Sequence, residues 1–167
     1  MFNNKVVKGY ADGTFKPSLP INRAEFTKIV VGSLYAGIVP DYRATSGPCE
    51  NKFSDLVIGA WYGDFVCLAY IVKAIAGYSD GTFRPSANIN FAEAAKITAN
   101  SFKLPVTTDA KIWFKGYVDA LAKLNAIPTS IYSFSQLITR GEMAEIFYRI
   151  KASVTTKATM SYSQLSP

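Results

Sequence analysis

Residues Gly9 to Phe26 read GYADGTFKPSLPINRAEF, and Gly77 to Ala94 read GYSDGTFRPSANINFAEA. Both carry Gly-Tyr-x-Asp-Gly-Thr-Phe-basic-Pro, then an Ile-Asn step and a Glu three residues after the Asn. A chain that repeats itself this closely is a tandem array. Each copy is one supersecondary unit that must stack on its neighbours to bury its apolar face.

The second copy is the complete unit. It opens at Phe53-Ser54-Asp55-Leu56, turns at Gly59 and enters a helix near Trp61, with Val66, Ala69, Tyr70 and Lys73 at three- and four-residue spacing. That helix is expected to end at Ala76-Gly77, with Gly77 as a left-handed C-terminal cap. The loop from Tyr78 to Ile89 contains an Asp80-Gly81 turn, and Pro85 keeps it from continuing as helix. Asn90 then caps a second helix, with Glu93 reaching back to it, until Leu104-Pro105 stops it.

Repeat one matches this template from Lys5 onward, with Asn22 and Glu25 where repeat two has Asn90 and Glu93. The counterpart of Phe53 to Leu68 is missing, so repeat one is expected to lack its first helix. The chain then reads as a fragment, or as a mature segment with Met1 added. An upstream segment or a second copy would complete the unit. In repeat three, Trp113 stands for Trp61, the loop from Ser130 to Ile138 has lost its Asp-Gly turn, and Thr139-Arg140-Gly141-Glu142 recovers the helix start. The expected division is partial repeat one at 1–42, repeat two at 43–105, repeat three at 106–151, and a Ser/Thr-rich tail or linker at 152–167 with little to bury. Pro40 to Asn51 reads as a linker. The fold class is all-α.

Composition narrows the function. The chain has no His, which removes the commonest general base and the commonest transition-metal ligand. Neither a nucleophile–base pair nor a phosphate-binding Gly loop is present, so catalysis is not expected. Asp12-Gly13 and Asp80-Gly81 lack the alternating oxygens and closing Glu of a calcium loop and read as turns. No metal and no cofactor are expected. Cys49 and Cys67 suit either one disulfide or two buried thiols. A net charge of +6 favours a polyanion, but the basic residues are dispersed, which argues against nucleic acid. No apolar run is long enough to span a membrane.

These residues resemble the S-layer homology family. The match is Phe53, Asp55, Trp61, Gly77-Tyr78, Asp80-Gly81, Phe83, Pro85 and Ala92-Glu93 in repeat two. Repeat one contributes Gly9-Tyr10, Asp12-Gly13, Phe15, Pro17 and Ile21-Asn22-Arg23-Ala24-Glu25; repeat three contributes Trp113 and Ile138-Thr139-Arg140-Gly141-Glu142. The resemblance implies three helical repeats around a pseudo-threefold axis, with ligand grooves between neighbours. It also implies an extracellular module that anchors a protein to the cell envelope by binding a secondary cell-wall polysaccharide. That polymer is acidic where its sugars are pyruvylated. Extracellular residence favours the Cys49–Cys67 disulfide.

The expected glycan contacts are Arg23, Arg140, Gly9, Tyr10, Gly77, Tyr78, Trp61 and Trp113. Arg23 and Arg140 occupy the first helical position, where the macrodipole disfavours a cation. An anionic ligand would explain them, with free first-turn amides and a guanidinium converging on one carboxylate; a solvated surface arginine is the alternative. Repeat two has Phe91 there, so its groove should bind weakly, bind something else or only pack. Asn22, Glu25, Asn90, Glu93, Thr139 and Glu142 are read as capping residues. Trp61 and Trp113 suit a sugar-stacking wall or the core equally. The competing function is a structural surface-layer module, whose repeats mediate self-assembly or packing against other proteins.

Overall fold

A computed structural model describes residues 9–10, 12–35, 49, 52–57 and 59–167. Among these, the regular elements are α1 (Arg23–Leu34), α2 (Gly63–Ile71), α3 (Phe91–Ser101), α4 (Lys115–Lys123) and α5 (Arg140–Lys151), with a 3-10 turn at Tyr162–Gln164. Among the described residues extended pairing is limited to isolated bridges, and the fold is all-α. The missing first helix of repeat one and most of the linker from Pro40 to Asn51 fall outside the described residues. No helix among the described residues is long and apolar enough to cross a membrane.

Helices α1, α3 and α5 start alike. The side chains of Asn22, Asn90 and Thr139 accept from the amides of Glu25, Glu93 and Glu142, whose carboxylates accept from the N-cap amides in return. Each cap is worth about 1 kcal/mol.

The C-termini of α2 to α5 also share one device, and it does not use glycine. Lys73, Lys103, Asn125 and Ser153 adopt left-handed conformations (φ 61°, 52°, 53° and 49°). The next amides, of Ala74, Leu104, Ala126 and Val154, then donate to the carbonyls of Ala69, Ala99, Leu121 and Arg149. This is the Schellman closure. The expected Gly77 cap is therefore corrected: α2 ends at Ile71 and Lys73 turns the chain. Gly77 has φ 78° for a different reason. A Cβ there would collide with the Phe53 ring and lie 2.9 Å from the Thr82 carbonyl.

A closed ring of backbone bonds joins the three helix–loop units. Ile21 donates to Ile138 (3.1 Å), Ile138 to Ile89 (3.0 Å), and Ile89 to Ile21 (3.1 Å). All three isoleucines are fully buried. Outside the ring, each helix start donates to the loop of the next unit: Arg23 to Ala87, Phe91 to Gln136, and Arg140 to Leu19, all at 2.9 Å. The second helical residues Ala24, Ala92 and Gly141 do the same to Pro85, Phe134 and Pro17. Small residues suit this approach; a Cβ on Gly141 would sit 3.0 Å from the Pro17 carbonyl. Phe26, Phe91 and Phe147 fill the surrounding core.

Asp12 and Asp80 shape the two copied loops identically. Each carboxylate accepts from the Thr two residues on, at 3.0 Å from the amide and 2.6 Å from the hydroxyl. Asp55 adds a second clamp in repeat two, accepting from the Phe83 and Arg84 amides at 2.7 Å each. Cys49 and Cys67 form a disulfide with a Cα–Cα distance of 5.5 Å, tying the chain before Phe53 to α2.

The C-terminal tail does not behave as a free end. Leu165 is buried, and Tyr162 packs on Phe134 and Phe114 with centroid distances of 4.9 and 6.4 Å. Phe134 donates to Ser166, and Ser166 to Tyr132. The expectation that 152–167 has little to bury is thus corrected. Composition hides this docking because it rests on backbone bonds and a few spaced apolar residues.

Candidate functional site

Arg23 leaves the start of α1 and turns into the loop of repeat two. It is 5% exposed. Its Nε donates to the Phe83 carbonyl at 2.9 Å, and its Nη1 lies 3.3 Å from Glu93 Oε1. The guanidinium stands 4.6 Å from the Tyr78 ring centre and 5.0 Å from that of Phe83. Tyr78 donates its hydroxyl to the same Glu93 oxygen. Burial, then this bond to a carboxylate, push the Tyr78 phenol above its ordinary pKa.

Arg140 repeats the arrangement between repeat three and repeat one. It is 4% exposed, donates from Nε to the Phe15 carbonyl at 3.0 Å, and lies 3.5 Å from Glu25 Oε1. Tyr10 and Phe15 face it at 4.8 and 5.0 Å. In the third position Phe91 is fully buried and packs in the core. Glu142, which would receive the missing arginine, instead accepts from Ser130 Oγ at 2.8 Å and Gln136 Nε2 at 3.0 Å.

Two expectations are corrected by this geometry. The first-turn amides are not free: loop carbonyls of the next unit take the first two, and the N-cap side chain takes the third. The arginines are neither solvated nor open to a ligand alone, because each is folded into an internal ion pair. A cation at the positive end of a helix is tolerated here because a carboxylate from the neighbouring unit neutralises it.

A cleft of about 540 Å³ opens beside Arg23, lined by Ala74 to Ser79, Glu93, Lys96, Ile97 and Trp113. Gly77 and Tyr78 therefore reach it, together with Arg23. Gly9 sits where a Cβ would lie 2.6 Å from the Thr14 carbonyl, so close packing of its own loop excludes a side chain there. Trp61 and Trp113 precede α2 and α4 by two residues rather than opening them, and are 50% and 53% exposed, which removes the core reading. Each stands edge-on to the next residue, Tyr62 or Phe114, at 5.3 and 5.4 Å.

A pair of residues that sequence reasoning passed over completes each indole. Lys28 of α1 lies over Trp61 at 4.8 Å, and Lys96 of α3 lies over Trp113 at 5.4 Å. Both lysines are half-buried and fall three residues after the capping glutamates. The signal was available: they recur at the spacing of the copied stretch, and repeat three carries Glu145 at that point.

The architecture is helical, with repeated helix–loop units and a composite cleft lined by Arg23, residues 74–79 and Trp113. The S-layer homology domain family matches residues 2–27 and 52–95, so these two segments carry S-layer homology sequence. It is similar to cell surface glycoprotein 1 of Acetivibrio thermocellus, 38% identical over 93 residues, which is 54% of this chain and 4% of that protein. It is also similar to the middle cell wall protein of Brevibacillus brevis, 25% identical across 83% of this chain and 12% of that protein. Exoglucanase XynX of A. thermocellus is 27% identical across 86% of this chain and 14% of its own length. The chain thus spans a small part of each of these relatives. These matches support a cell-surface anchoring module at the cell surface or envelope.

Proposed function

We propose that the chain is a non-catalytic module that binds an acidic secondary cell-wall polysaccharide, with pyruvylated sugars as its recognised groups. The supporting observation is the lysine–tryptophan pair, which lines the cleft as Lys96–Trp113 and recurs as Lys28–Trp61. An exposed indole offers a flat apolar face to a sugar ring, and the ammonium beside it offers a charge to a carboxylate. Arg23 reaches the cleft itself, and it and Arg140 also act as supports. Each fixes the tyrosine and glutamate that line its groove, and so holds the shape to which the glycan docks. The repeat limits at 1–42, 43–105 and 106–151 belong to this reading, as does the assignment of Gly9, Tyr10, Gly77 and Tyr78 to groove walls. Enzymatic activity in a relative such as the exoglucanase then resides outside the shared segment.

The test is retention on purified cell-wall sacculi, before and after chemical removal of their acidic substituents. Retention should fall when the acid groups are removed. Equal retention in both states, or none in either, would refute the proposal.

A further inference from the structure

The third repeat has a groove wall equivalent to that of repeat two, and the chain's own tail lies in it. Ala126, Ile127 and Pro128 follow the left-handed Asn125 just as Ala74, Ile75 and Ala76 follow Lys73. In repeat two this wall lines the open cleft. In repeat three the Thr159 hydroxyl accepts from the Ile127 amide at 3.2 Å and donates to its carbonyl at 3.0 Å, and Met160 donates to the same carbonyl at 3.1 Å. Lys157 pairs at 2.7 Å with Glu145, which stands where repeat two has Lys96. Arg149 bridges the carbonyls of Asn125 (3.2 Å) and Ala158 (2.7 Å), joining wall and tail. Pro128 is buried, whereas its counterpart Ala76 is exposed.

We propose that this third groove is a peptide groove occupied by residues 157–160 of the same chain, so that the module presents two anion-facing grooves rather than three. The charges agree with the occupant. Glu145 in the wall pairs with Arg149 at 2.9 Å and with Lys157 of the tail at 2.7 Å, and Phe91 stands where the other two positions have arginine, which suits a lysine-bearing segment. The count of two rests on the anchoring reading above, but the occupancy of the groove does not.

Amide exchange on the full chain tests the occupancy without any ligand. In the wild-type protein the Ile127 and Met160 amides should exchange at least roughly a hundredfold more slowly than an unstructured peptide. In a Lys157→Ala, Thr159→Val double variant both should speed up about tenfold or more, while Ile21, Ile89 and Ile138 stay unchanged. Wild-type exchange at the unstructured rate, or a variant as protected as the wild type, overturns the occupancy. If the variant fails to fold, the wild-type rates alone decide. Calorimetry with a methyl hexoside carrying a pyruvate ketal then reads the count. Two molecules per chain support it and three overturn it. Absence of binding overturns the anchoring reading, and with it the count, while the exchange rates still decide whether the groove is filled.

Discussion

Replacing Arg23 with Ala should act on stability first. The side chain is 6% exposed, bonded to the Phe83 carbonyl at 2.9 Å and paired with Glu93 at 3.3 Å. Removing one member of a buried pair costs about 3–5 kcal/mol, because the partner stays behind desolvated. The Glu93 side chain is 18% exposed, so water reaches part of it, and Tyr78 still donates to it. These place the loss near the lower end, at about 3 kcal/mol. For a chain of this size that lowers the unfolding midpoint by about 6–12 °C. Urea and thermal unfolding of Arg23→Ala beside Arg23→Lys measure it; the lysine retains the charge but lacks the planar fork of the guanidinium, and should fall between. A loss below about 1 kcal/mol for the alanine variant would refute the reasoning, since the guanidinium would then not be what ties repeat one to repeat two.

Reduction of Cys49–Cys67 frees a span with a sequence separation of 18 and should cost about 3 kcal/mol, read as a lower urea midpoint with unchanged secondary structure. Hydrogen bonds from Thr82 and then Arg84 hold the Asp80 carboxyl below the usual aspartate range, at about 2. Its folded value is depressed, so its contribution to stability is present above the unfolded value and fades as pH falls through the folded one. Carbon-detected titration should show the low midpoint, and Thr82→Val should raise it. Phe91→Ala empties a fully buried site and should cost about 3–5 kcal/mol in chemical denaturation.

The helix starts were legible because a capping box is local: Asn or Thr with Glu three residues on satisfies amides within one turn. The second role of the same glutamates was not. A carboxylate has two oxygens; Oε2 of Glu25 and Glu93 serves the cap, while Oε1 reaches across to Arg140 and Arg23. That partner lies on another unit, at a distance in sequence that no periodicity marks. The helix ends escaped for a different reason. Glycine is the residue that advertises a left-handed turn, yet Lys73, Lys103, Asn125 and Ser153 make it here under the pull of two closing bonds each. The site was read through the motif arginines, whereas Lys96 also lines the cleft and Lys28 repeats its contact with an exposed indole.

The most direct test is retention on native sacculi by a Lys28→Ala, Lys96→Ala double variant. Three cation–aromatic contacts are lost, Lys28 to Trp61 and Phe65 and Lys96 to Trp113, so the folded state should weaken by about 1.5–3 kcal/mol. Retention should nevertheless drop about tenfold or more, the share of a charge-assisted contact. A folded double variant retained as fully as the wild type would contradict the account.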